Sequence, residues 1–268
     1  MSRNGPIALL FHALFVVFML APIVVVCAVA FTPEPFLSLP THGMSLRWFR
    51  AIRDYPEFVR ALWQSLRVGF LSSLIAITFA TPAALALARG TFRGRDAMLA
   101  LFQSPLMIPH IVLGIAFLRF FTEIGLGGTF VGLVLAHLII IFPFALRLTL
   151  AAATGLNQSI EHAAASLGAS QATVIRRITL PLVMPGLISG WSLAFINSFD
   201  EVTMTVFIAA PGTETLPVRM FLYIQDNIDP LVTSVSACVI ALTVVALVIL
   251  DRAYGLETLL IGRGKDEH

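Results

Sequence analysis

Six stretches of this chain run for the length of a bilayer crossing without one Asp, Glu, Lys or Arg. They are Ile7–Phe31, Val68–Ala88, Ala97–Leu118, Ile124–Leu146, Ile178–Phe199 and Pro230–Leu250. About 20 apolar residues cross the hydrocarbon core as helix. The pattern predicts an all-α, polytopic membrane protein with six transmembrane helices in a single transmembrane domain, residues 1–268. The spans are expected at about 7–31, 66–88, 98–121, 127–150, 182–209 and 231–251. The first is too long, and too poor in a small-residue cleavage site, to read as a removed signal peptide.

Between the fourth and fifth stretches lies a polar interval, 155–180, that patterns as two short helices split by a glycine. Asn157 or Ser159 can cap the first helix, with Glu161 in its first turn, where the helix dipole favours negative charge. Gly168 can adopt φ > 0 and end it. Ser170 can cap the second, whose Val174 and Ile178 share a face at i, i+4. Pro181 and Pro185 re-enter the apolar phase. Such an interval is built to touch something outside the membrane.

The pattern Ala163-Ala164-x-x-x-Gly168-Ala169, then Ile178-x-Leu180-Pro181, resembles the EAA motif of permease subunits in binding-protein-dependent type I ABC importers. The resemblance implies a type I ABC importer permease fold. It also implies that 155–180 is the cytoplasmic coupling loop, docking into a cleft on a partner ATPase. The family's glutamate position falls on His162, with Glu161 just before it, so the polar contact to the ATPase is expected either from Glu161 or in a weaker form.

Composition agrees. The chain is 58% hydrophobic and 12% charged, with mean hydropathy +0.91, which excludes a soluble globular domain. A net charge of +2 gives no argument for nucleic acid. Cys27 and Cys238 both sit in apolar stretches, so no disulfide framework, redox pair or metal site is expected. Lys265 is the only lysine, and no P-loop surrounds it. A P-loop needs its lysine on the β- and γ-phosphates. No catalytic residue and no cofactor is therefore expected on this chain, and ATP and Mg²⁺ belong to a partner subunit.

Orientation follows the cationic residues. Arg3, Arg89, Arg93, Arg95, Arg147, Arg176, Arg177, Arg252, Arg263 and Lys265 share one side if both termini are cytoplasmic. Arg47, Arg50, Arg53 and Arg60 fall opposite, in a long loop that also holds Glu34, Asp54 and Glu57. That loop opens with Pro33, Pro35 and Pro40, which read as extended chain. Ser45 is then placed to cap a helix through Ile52, and Trp48 and Trp63 are expected at the membrane–water interface. Leu46-x-Trp48-Phe49, followed by Phe58, Ala61 and Ser65-Leu66, resembles the spermidine/putrescine branch of these permeases, with Gln64 where that branch has Asn.

Pro105 and Pro109, with His110 following, predict a bent third span, a string also similar to that branch; the bend suggests a helix lining the pathway. His137 reads as a hydrogen-bonded bundle residue. Gly125, Gly127 and Gly128 form the next outer turn. The fifth apolar stretch runs into Asn197-Ser198-Phe199-Asp200-Glu201. Asp200 is eighteen steps beyond Leu182, roughly 27 Å along a helix. That places Asp200 and Glu201 in the outer half of the membrane, where a carboxylate faces a wet cavity, a cation or a partner's Arg, or at the outer boundary, already outside the hydrocarbon. Asn197, Ser198, Asp200, Glu201, Pro109 and His110 are the candidate pathway residues, with Asp200 assigned to the pathway and Glu201 to an interface or a neighbouring Arg. Beyond lie a turn-rich loop at Pro211–Pro217 and the outer acidic residues Glu214, Asp226 and Asp229.

Read together, the chain is expected to be a permease subunit in the bacterial inner (plasma) membrane, moving a small polar solute into the cytoplasm. The resemblance implies a polyamine such as spermidine or putrescine, or else another amine, an amino-acid derivative or a phosphonate. Its implied partners are an ABC ATPase dimer, a second permease subunit or second copy of itself, a periplasmic or lipid-anchored substrate-binding protein, and lipid. An intramembrane enzyme is disfavoured because no H-E-x-x-H or G-x-S-x-G occurs. An ion-driven secondary transporter is disfavoured because no inverted repeat is evident.

Overall fold

The computed structural model describes residues 5–39 and 41–254. The described residues are helical, with no strand. In chain order they form α1 (Pro6–Ala30), α2 (Arg47–Ala51), α3 (Pro56–Arg89), α4 (Arg95–Gln103), α5 (His110–Glu123) and α6 (Phe130–Thr154). There follow α7 (Gln158–Ser166), α8 (Gln171–Val174), α9 (Leu180–Phe199), α10 (Thr205–Ile208), α11 (Leu216–Asp226) and α12 (Leu231–Tyr254). Arg3 and Pro40, and Arg263 with Lys265, lie outside the described residues.

Four helical runs are long and apolar enough to cross a membrane: Ile7–Ala30, Pro56–Arg89, Phe130–Thr154 and Gln171–Phe199. The third expected span is broken. Its halves, Arg95–Met107 and His110–Glu123, meet at 99°, and counted as one span they bring the number to five. The cause is local. A residue before proline is pushed out of the helical region, and Ile108, before Pro109, is extended at φ −97°, ψ 129°. The described apolar run Leu231–Ala246 is shorter than the others.

Two further boundaries differ from expectation. α3 starts at Pro56 rather than near 66, because proline fits the first helical position and the helix continues through a polar first turn. α9 stops at Phe199 instead of running to 209. Glu201 ends it by turning its carboxylate onto the Met204 N–H at 2.6 Å.

The chain forms two compact units, one from the residues up to Val59 with Met220–Leu250, the other from Arg60–Arg219. The second holds the tightest packing. Ala76, Ala80 and Ala84, one turn apart on α3, are fully buried in a cluster with Leu87, Ile141, Ala145, Leu146 and Ala194. α6 and α9 approach through small residues: a Cβ on Gly190 would lie 3.1 Å from the Ala145 carbonyl, and one on Gly186 would strike Ala152. Without a hydrophobic driving force between helices in lipid, such close backbone contact is what holds them. Another buried cluster gathers Val68, Phe121, Leu133, Ile140 and Met204. Gly114 on α5 lets the Met204 backbone approach to 3.1 Å of where its Cβ would be.

In the first unit, Ser45 accepts the Arg47 N–H at 3.1 Å, close to its expected capping role. Trp48 departs from expectation. It is buried, and its indole N–H donates to the Glu34 carbonyl at 3.1 Å, so it pins the proline-rich segment instead of lying at an interface. Trp63, in the second unit, is exposed. Tyr223 packs edge-on against Tyr55 and Phe58 and donates to Asp229 at 2.8 Å. Burial, then the Asp229 hydrogen bond, push its phenol above the ordinary range, so it stays a donor at any working pH. α1, by contrast, is apolar on all sides and almost wholly exposed, as a lipid-facing helix is.

The α6–α9 contact is testable. Gly190→Leu should lower the thermal unfolding midpoint in detergent, since overpacking a close contact costs about 1–3 kcal/mol. Gly190→Ala should fall between it and wild type. Equal midpoints for all three would contradict the packing.

Candidate functional site

The polar interval folds locally as its sequence suggests. The Asn157 Oδ1 accepts the Ser159 N–H at 3.0 Å and caps α7. Gly168 has φ +88°, a conformation that costs a residue with a Cβ. Around it the Gly168 N–H donates to Ala165 and the Ala169 N–H to Ala164, satisfying carbonyls at the helix end. Ser170 accepts the Thr173 N–H at 3.3 Å and caps α8. Beyond α8 the chain does not turn. A π-helical segment, Ile175–Thr179, joins α8 to α9 so that 171–199 is one helical run.

The loop has two faces. Val174 and Thr179 are buried, and Ala164, Ala169, Ile178 and Leu180 are half-buried. His162, Ala163 and Pro181 are exposed, as are Ile160 and Leu167, the latter at 90%. Glu161 corrects an expectation. It does not point outward; its carboxylate accepts from Arg89, at the end of α3, and from the Thr179 hydroxyl. His162, next to it, is exposed, as are Ser166, Arg176 and Arg177 further along the loop.

The second constellation surrounds the break after α9. His110, Ile140, Asn197, Asp200, Glu201, Val202 and Thr203 line a cavity of about 440 Å³. The His110 Nδ1 lies 2.7 Å from Glu201 Oε2, while Glu201 Oε1 holds the Met204 N–H. Glu201 is thus buried and doubly committed, to a histidine instead of the arginine or interface expected. Asp200, its neighbour, is exposed to the cavity. The Asn197 amide donates to the Leu193 carbonyl at 2.8 Å and borders the same space. Pro109 sets the bend that places His110 but is not part of the lining.

Ser198 belongs elsewhere. It is buried, with its hydroxyl 2.8 Å from His137 Nδ1 and 3.2 Å from the Ser72 hydroxyl. The other His137 nitrogen, Nε2, lies 3.0 Å from the Thr205 hydroxyl. One imidazole on α6 therefore clasps the penultimate residue of α9 and the first residue of α10. The bundle role expected for His137 is present, but its partners, like those of Arg89, are brought together only by the fold. Among the described residues, no three His, Cys, Asp or Glu side chains gather as a metal-binding group.

Residues 76–256 match a family described as binding-protein-dependent transport system inner membrane component. The chain is 30% identical over 231 residues to the spermidine/putrescine transport system permease protein PotC of Haemophilus influenzae, across 86% of this chain and 89% of that protein. It is 35% identical over 178 residues to a probable molybdenum ABC transporter permease protein of Haloferax volcanii, across 63% of this chain and 66% of that one. A bacterial alginate ABC transporter, solved in complex with an alginate pentasaccharide-bound periplasmic protein, has a chain similar at TM-score 0.70. That likeness covers 93% of both chains at 18% identity, and is one of fold.

The His137 clasp predicts a graded loss. His137→Phe leaves the Thr205 hydroxyl without its His137 partner and the Ser198 hydroxyl with Ser72 alone, and an unsatisfied buried group costs about 1–3 kcal/mol. Its unfolding midpoint in detergent should drop below that of His137→Gln, which keeps one donor and one acceptor. A Phe variant as stable as wild type would refute the clasp.

Proposed function

The chain belongs to the family of inner membrane components of binding-protein-dependent transport systems, as a permease subunit of an ABC importer, and from that premise we propose that its solute is a cationic amine of the polyamine class. The observation that carries this reading is the exposed Asp200 carboxylate at the polar cavity. A cation leaving water needs a counter-charge, and in low-dielectric surroundings each carboxylate counts for more than in solution. Glu201 is already held by His110 and the Met204 N–H, so Asp200 is the charge left to meet a ligand. The name of the Haemophilus influenzae relative supports spermidine or putrescine. The name of the Haloferax volcanii relative favours a second reading, an oxyanion, which Asp200 would repel.

In this proposal the chain crosses the membrane six times, with both termini cytoplasmic. It pairs with a second permease subunit or a second copy of itself. An ATPase dimer carrying ATP and Mg²⁺ lies beneath, and a substrate-binding protein delivers the solute from above. Closure of the ATPases moves α7, and the movement rocks the spans so that the cavity opens to alternate faces. The exposed Ile160, His162, Ala163 and Leu167 form the contact to the ATPase.

Two measurements test these roles in proteoliposomes holding the whole importer. Asp200→Asn should lower spermidine or putrescine uptake about tenfold, the equivalent of ~1.4 kcal/mol, with normal complex yield. Glu201→Gln, which keeps an acceptor for Met204, should lose less. Unchanged uptake in Asp200→Asn would remove the argument for an amine, and raised uptake of molybdate would favour the oxyanion. Gly168→Val should abolish transport while the chain still reaches the membrane, because a β-branched residue is strongly disfavoured at positive φ. Transport surviving that change would remove the coupling role from the loop.

A further inference from the structure

We infer that Glu161 is a positioning residue that latches the first helix of the coupling loop to two membrane helices at once, and is not itself a contact to the ATPase. This rests on reading 155–180 as the coupling loop. Three separate elements meet at the Glu161 carboxylate. Arg89 is the last residue of α3, and Thr179 ends the π-helical segment that leads into α9. Both donate to the same oxygen, Oε1, and the Arg89 guanidinium also reaches the Thr179 hydroxyl at 3.4 Å. The Thr179 residue is fully buried, and the Glu161 side chain is only 12% exposed.

The location favours the pair. Arg89 sits where the α3 dipole presents its negative end, and Glu161 sits in the first turn of α7, at the positive end. Each charge is therefore stabilised by its own helix before the two meet. The arginine is held on a firm base. Just past it, the Arg95 Nε donates to the Leu87 carbonyl at 2.9 Å, and the Gly90 N–H donates to Ala86 at 2.8 Å. The end of α3 and the turn after it are thereby closed into one piece.

The arrangement has a mechanical consequence. A push on the exposed face of α7 passes through one carboxylate into α3 and into the start of α9 together. Without the latch, α7 stays joined to α9 through the Gly168 turn, α8 and its packing on the π-helical segment, and the end of α3 loses its charge pair with the loop. Glutamine at 161 keeps the size and one acceptor but removes the charge that holds the guanidinium. Breaking a partly buried charge pair from one side leaves the other charge unpaired.

The test uses the whole importer, with its ATPase and companion permease, in lipid nanodiscs, with Cys27→Ser and Cys238→Ser as background. Spin labels at Arg93→Cys and Ser166→Cys report the distance between the end of α3 and the end of α7, without nucleotide and with ATP bound in EDTA. Wild type should give one narrow distribution in both states. Glu161→Gln and Arg89→Gln should broaden it while still capturing the ATPase, and the swap Arg89→Glu with Glu161→Arg should narrow it again. Coupling terms of this kind change equilibria on the order of tenfold, so transport per ATP should fall about that much in the single variants. An unchanged distribution in Glu161→Gln, loss of ATPase capture in that variant, or a swap no narrower than the singles would each overturn the latch. Leu167→Asp separates the two readings. If it leaves ATPase capture intact, the coupling assignment fails; if it abolishes capture while Glu161→Gln leaves the distances unchanged, the latch alone fails.

Discussion

Hydrocarbon offers no partner to a backbone N–H, and every break in a membrane helix must supply one from the protein itself. In this chain the break after Phe199 is the place where that requirement shapes everything nearby. Glu201 takes up the Met204 N–H and holds His110, and His137 clasps Ser198 and Thr205 across the gap. Glu201 serves the backbone first, and His137 ties the side chains on either side of the break. Their commitment leaves Asp200 as the carboxylate facing the cavity, so a structural demand at one residue determines the chemistry available at the next.

The same economy runs through the helix contacts. Small residues on α3, α6 and α9 bring backbones together, and Gly114 brings α5 onto the segment at Met204. Close contacts of this kind have little give, because packed interiors resist deformation. A bundle packed in this way moves as a body when one end is displaced. That is the property a permease needs if a loop before α9 is to change a cavity at the other end of that helix.

Much of this was legible in the sequence where the cause is local. The apolar stretches, the Asn157 and Ser170 caps and the positive φ of Gly168 depend on neighbours within a few residues. The bend before His110 follows from Pro109 acting on Ile108. What was not legible depends on partners far along the chain. Glu161 turns inward because Arg89, 72 residues earlier, waits for it. Glu201 ends α9 early and pairs with His110, 91 residues away. Ser198 leaves the cavity for His137, at a separation of 61. Trp48 is aromatic and flanked by arginines, which suits an interface, yet a carbonyl at Glu34 draws its indole inward. In each case the residue type was informative and its direction was not.

In the proposed cycle, force from the ATPase enters at the exposed face of the 155–180 loop. Cross-linking from Leu167, whose side chain is almost fully exposed, tests it most directly. In native membranes containing the whole importer, Leu167→Cys in a background of Cys27→Ser and Cys238→Ser is treated with a short bifunctional maleimide. An adduct with the ATPase subunit is expected, and none from Trp63→Cys. An adduct from Trp63→Cys with none from Leu167→Cys would contradict it.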